Sequence, residues 1–104
     1  VVSLVTASPH HKDHAQLQTE LAAARTQVQV GGVYAHYKYP SNHYKVIGLG
    51  WREATDELCV IYQAEYDPTL VFIRELSSWL ETPDLHGQPV PRFILQTEDS
   101  TSSV

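Results

Sequence analysis

Glu57-Leu58-Cys59-Val60-Ile61-Tyr62-Gln63-Ala64-Glu65-Tyr66 decides how the rest of the chain is read. The stretch holds no Gly or Pro, and Leu58, Val60 and Tyr62 alternate against Cys59, Ile61 and Gln63. That two-residue period predicts a long strand, and its length makes it the expected centre of a sheet. Upstream of it, Arg52-Glu53-Ala54-Thr55-Asp56 is a polar connection, and His43–Trp51 alternates Tyr44, Val46 and Gly48 against Lys45, Ile47 and Leu49. Gly48 and Gly50 mark a bulge or strong bend there that would help a sheet to close. Val33–Lys38 reads as the first strand, broken by Tyr39-Pro40-Ser41-Asn42, where proline removes a ladder donor.

Downstream, Asp67-Pro68-Thr69 turns the chain into Leu70–Arg74, a continuous apolar run of the kind a buried strand shows. Ser77–Leu80 suits one helical turn, His86-Gly87 a tight reversal, and Arg92–Gln96 a last short strand. Short strands with turn chemistry between them predict a mainly β fold, a small barrel or sandwich.

Ahead of the strands, Leu17, Leu21, Ala24 and Val28 recur at helical spacing and predict an amphipathic helix from about Pro9 to Gln27. Ser8-Pro9 supplies an N-cap and first-turn proline, Asp13 is a later alternative cap, and Gly31-Gly32 is a stop. The expected organisation is an N-terminal arm with this helix over 1–30, a barrel over 31–96 and a polar tail over 97–104. The apolar face of the helix needs a partner, either the barrel or a second copy of the chain in a homo-oligomer.

The 104 residues suit one domain, and 42% hydrophobic against 18% charged residues places the chain among globular proteins. A formal net charge of -5 weighs against attraction to duplex phosphates or anionic lipid. No apolar run is long enough to span a bilayer, and Val1–Ala7 is too short for a signal-peptide core. The single cysteine, Cys59, has no intramolecular disulfide partner, so the cytoplasm is the expected compartment. Methionine is absent even at position 1, so the chain is expected to begin downstream of a natural start.

One run of motifs is more specific than any of its parts. Gly32-x-Tyr34-x-His36-Tyr37-Lys38, Tyr44-x-Val46-x-Gly48, Glu57-Leu58-x-Val60-x-Tyr62-x-Ala64-x-Tyr66, Ile73-Arg74, Leu80-Glu81 and Gly87-x-x-Val90-Pro91-Arg92-Phe93 follow one another in order. Over residues 32–93 this order resembles the domain of unknown function 1653 family, represented by small bacterial proteins. The resemblance implies a small β-barrel of SH3-like character and carries no established activity; with the strands read above, the expected fold is mainly β, a partly open five-stranded antiparallel barrel, to which the N-terminal α-helix, without counterpart in the family, is added. The sequence departs from the family pattern at Phe72, where Trp is usual, at Glu75, where Pro is usual, and at Ser78-Trp79, which replaces a Met-Phe pair. The first turn is also longer around Pro40–Asn42.

Candidate ligand-binding residues are Tyr34, His36, Tyr37, Lys38, Tyr39, Tyr62, Arg74, Glu81 and Arg92. The tyrosines offer apolar rings with polar tips, and equally suit the rim of a small barrel. Alternation is expected to put Tyr34 and His36 on one face and Tyr37 and Tyr39 on the other. Arg74 and Arg92, with Glu81 and Glu57, suit an ion pair or the capture of a carboxylate or phosphate. His10 and His14, four apart, form a weak metal candidate. Cys59 reads as buried and inert, and no cofactor motif, phosphate loop or nucleophile elbow is present, so no cofactor is expected.

The leading expectation is a non-catalytic binding module that presents a Tyr/His/Arg-lined groove to a peptide or small anionic ligand. The alternative is an RNA or single-stranded nucleic-acid module, with tyrosines stacking bases and Lys38, Lys45, Arg52 and Arg74 meeting phosphates. A third is a small enzyme with His36 and Glu81 as acid and base beside Arg74.

Overall fold

The computed structural model describes residues 12–96. Helix α1 spans His14–Arg25, and strands β1 Val33–His36, β2 His43–Arg52, β3 Glu57–Ala64 and β4 Val71–Glu75 follow. A four-residue helix α2, Leu76–Trp79, precedes a small hairpin of β5 Asp84–Leu85 and β6 Gln88–Pro89, and the last strand is β7 Phe93–Gln96. The main sheet is antiparallel in the order β4-β3-β2-β1-β7.

This sheet is strongly curled but not closed, because β4 and β7 do not pair. A flat sheet of this order would hold its two edges about 19 Å apart. Here the Arg74 guanidinium of β4 lies 5.6 Å from the ring centre of Phe93 in β7. Part of the bend arises in β2, where the register slips between Val46 and Gly48 and leaves Ile47 as an extra, exposed residue. Such a bulge adds twist and bend at the expected place.

Val46, Val60, Tyr62, Ala64 and Phe93 are buried on the concave side, and Val28, Tyr34, Tyr44 and Trp79 complete the core. Helix α1 is capped by Asp13, whose carboxylate accepts from Gln16 N at 2.8 Å, so it begins five residues later than expected. Ser8 and Pro9, the earlier cap, lie outside the described residues. It also stops sooner, at Thr26, rather than at the glycines. Ala24 and the following Val28 are buried, with Leu17 and Leu21 half-buried, so the predicted face docks on the sheet mainly through its C-terminal end. At the other end Lys12 donates its backbone N–H to Asp56 in the β2–β3 turn and lays its ammonium over Trp51.

Two expectations are corrected. Leu70–Arg74 is not a buried strand: β4 is an edge, with Val71 49% and Ile73 66% exposed. A short apolar run carries no information on whether a second neighbour pairs with it. Strand β1 also ends at His36, so the alternation predicted for Tyr37 and Tyr39 does not continue. The expected reversal is present: His86 at φ 53° and Gly87 at φ 83° make the left-handed pair that a two-residue hairpin turn requires.

Candidate functional site

The concave face of the sheet opens between β4 and β7 into a cavity of about 220 Å³ lined by His36, Tyr44, Tyr62, Phe72, Arg74 and Phe93. Its walls follow from register. Tyr62 lies opposite Phe72 across β3 and β4, and strand alternation puts Phe72 and Arg74, two apart, on one face. His36 and Phe93 are opposite one another across β1 and β7. Tyr44, on β2, meets Tyr62, Phe72 and Phe93 edge-on, with ring centres 5.6, 6.2 and 6.1 Å away.

The floor is fixed by α2. Trp79 stacks on Phe93, ring centres 3.9 Å apart and planes within 9°, and meets Tyr34 and Tyr62 at 5.2 and 5.0 Å. Aromatic pairs of this kind contribute about 0.5–1.5 kcal/mol each beyond their burial. The same helix holds Arg74: its Nη1 donates to Ser78 Oγ at 2.8 Å, and its Nε reaches Tyr62 Oη at 3.5 Å. A guanidinium has five N–H donors. Three of those of Arg74 have no partner among the described residues, and no carboxylate there lies within ion-pair distance of it.

Arg92 behaves differently. Its Nη2 meets Glu81 at 2.7 Å, its Nε donates to the Ser78 carbonyl, and its own carbonyl accepts from Tyr37 N. It ties α2, β7 and the β1–β2 turn together, and its charge is matched. Glu57 and Glu75 both pair with Arg52 on the exposed surface, so neither is available to Arg74.

His36 is held as a neutral imidazole. Its Nδ1 accepts from the backbone N–H groups of Lys38 at 3.0 Å and Tyr39 at 3.4 Å, which places the ring proton on Nε2. Burial, and then the positive charges of Arg74, Arg92 and Lys38, hold its pKa below the ordinary 6.5. The Tyr44 phenol is pushed above its usual range by burial and by the Tyr66 hydroxyl beside it. These groups make a small apolar bowl with one cation unmatched among the described residues and neutral hydrogen-bonding tips.

A larger depression of about 480 Å³ lies by the end of α1, lined by Arg25, Val28, Gln29, Val30, Gly48 and Leu49. It brings no aromatic ring and one charged side chain, so size alone does not make it the better site.

The family model described as a protein of unknown function (DUF1653) matches residues 32–95, well over half of the chain. The chain belongs to the DUF1653 family. A crystal structure of a DUF1653 protein from Bordetella bronchiseptica is similar to it at 39% identity, with a TM-score of 0.55 over 65% of this chain and 87% of that one. No curated protein matches the chain.

Of the candidates read from this DUF1653 sequence, His36, Tyr62 and Arg74 meet in the bowl. Tyr34 is in the core, its hydroxyl accepting from Gln29 N. From the β1–β2 turn Tyr37 stacks on His36 and Tyr39 packs against it at a tilt, with ring centres 5.1 and 5.4 Å away, and Lys38 reaches over Tyr39, so the three buttress the rim. Glu81 and Arg92 satisfy each other, and Glu81 does not share the bowl with His36. His10 lies outside the described residues, His14 is exposed, and no group of metal-binding side chains occurs among the described residues. Tyr44, Phe72 and Phe93 line the bowl without having been singled out as ligand-binding residues. Phe72 and Arg74 were legible as a pair from their spacing. Phe93 was not, because only the curl of the sheet brings it to β4.

Among the described residues no helix is long and apolar enough to cross a membrane.

Proposed function

We propose that this chain is a non-catalytic binding module whose bowl takes a carboxylate carried on an apolar or aromatic group, as part of a peptide or a small anionic molecule. The observation that carries the reading is Arg74: a half-buried guanidinium, held by Ser78 and Tyr62, with donors that have no partner among the described residues, at the mouth of an aromatic concavity. A half-buried charge is costly to leave unmatched, and Arg presents the planar donor set that suits a carboxylate.

The same cation makes the bowl a poor cage for ammonium groups, although its rings alone would suit one. A volume of about 220 Å³ fits one side chain or a small acid better than a nucleotide. The lining contains no carboxylate or thiol, and Nδ1 of its one imidazole is taken up by backbone donors, which favours binding over chemistry.

The test is an NMR titration of the full chain with phenylacetate, 2-phenylethanol and phenethylammonium in parallel. Phenylacetate is expected to shift the signals of Phe72, Arg74 and Phe93, with Arg74→Gln weakening it by roughly tenfold or more. Equal binding of the ammonium compound, or no response to any of the three, would overturn the proposal.

A further inference from the structure

We propose that an extended acidic segment of another protein adds as a strand to the free edge of β4 and drops a carboxylate into the bowl; this rests on the reading of Arg74 above. Among the described residues, strand β4 is the last in the sheet and pairs on one side only. The Ala64 N–H donates to the Leu70 carbonyl at 3.0 Å, which fixes the ladder's phase. In an antiparallel pair the hydrogen-bonded and non-bonded positions alternate. Phe72 and Arg74 therefore bond to β3, and the N–H and C=O groups of Val71 and Ile73 point away from the sheet, with no backbone partner among the described residues; at Glu75, the N-cap of α2, the carbonyl already serves the helix.

Side chains divide the same way. Val71 and Ile73 project, exposed, on the convex face, and Phe72 and Arg74 line the bowl. Strand β4 has no Pro, Lys or bulge, devices that commonly guard an edge. Its guard is Arg74 itself. A neutral strand added here would cover an unmatched guanidinium, whereas a strand with a carboxylate opposite Arg74 would match it, so the residue that repels most partners selects an acidic one. A second copy does not meet the requirement: the same face of its β4 carries Phe72 and Arg74 and no acid. The occupant is thus a foreign strand with apolar or β-branched residues opposite Val71 and Ile73, an acid opposite Arg74 and an apolar residue opposite Phe72.

The probe is a capped heptapeptide, threonine-lysine-glutamate-valine-phenylalanine-valine-threonine, which in antiparallel register sets its glutamate against Arg74 and its valines against Ile73 and Val71. Added to the full chain, it is expected to shift the Arg74 and Phe93 signals and to slow amide exchange at Val71 and Ile73. N-methylation of both valines, whose N–H groups face β4, should weaken binding roughly tenfold or more, while N-methylation of the glutamate and phenylalanine should have little effect. Equal binding of the valine-methylated peptide, or no peptide binding where phenylacetate still binds, would overturn strand addition and leave the carboxylate reading intact. Equal binding of a glutamine-for-glutamate peptide would overturn both. A dimer in sedimentation whose β4 amides are already protected without peptide would give the edge to a second copy and overturn the proposal.

Discussion

Replacing Trp79 by alanine should remove the floor of the bowl and much of the stability of the domain. Trp79 is 3% exposed and touches three strands at once, through Phe93 of β7, Tyr34 of β1 and Tyr62 of β3. Truncating a buried Phe or Trp to Ala costs about 3–5 kcal/mol, and here three aromatic pairs are lost together with the packing. Domains of this size are stable by about 5–15 kcal/mol, so Trp79→Ala consumes a large part of the margin. Trp79→Phe keeps a ring against Phe93 and should cost about 1–2 kcal/mol. The assay is urea unfolding followed by circular dichroism, with the midpoint falling in the order wild type, Trp79→Phe, Trp79→Ala. The slope should stay constant, since the surface exposed on unfolding changes little. A loss below about 1 kcal/mol for Trp79→Ala would refute the claim that α2 fastens the two sides of the curled sheet.

Three further outcomes are expected. Arg74→Gln removes one of the cations beside His36 and should raise that imidazole's pKa toward 6.5; an NMR histidine titration showing no rise would contradict the placement of the two groups. Because the folded His36 pKa lies below its unfolded value, the unfolded chain binds more protons in that window, so wild-type stability should fall as pH drops from about 6.5 toward the folded pKa. Urea midpoints measured across that range should show this slope, and it should flatten in Arg74→Gln. Cys59 is 2% exposed and burial pushes its thiol pKa up, so an aromatic disulfide reagent should label it only as fast as the domain opens; immediate labelling in buffer would contradict its burial.

The strands were legible because alternation and turn chemistry are local. Glu57–Ala64, the break at Pro40, the reversal at His86-Gly87 and a helix with Asp13 among its caps all follow from neighbours in sequence. The errors fall where a second, distant partner decides. Leu70–Arg74 looked buried because its composition is that of a core strand, yet the sheet order leaves it at an edge. Tyr37 and Tyr39 were assigned a face by extending the β1 period past His36, where the strand ends and both rings fold back on the imidazole. At the site, the cluster of His36 and Tyr62 with Arg74 was visible as residue types, but the pairing of Glu81 with Arg92, and the lack of a carboxylate partner for Arg74 among the described residues, depend on how α2 crosses between the sheet's two edges.

That curl is the claim on which the bowl, its ligand and the strand addition all depend. Nuclear Overhauser contacts between the Arg74 side chain and the Phe93 ring protons test it directly. They should be present, with accompanying contacts from Trp79 to Phe93, because the guanidinium lies 5.6 Å from the Phe93 ring centre. If Arg74 instead showed contacts only to β3, with none to Phe93, β4 and β7 would lie far apart on a flatter sheet and there would be no bowl between them.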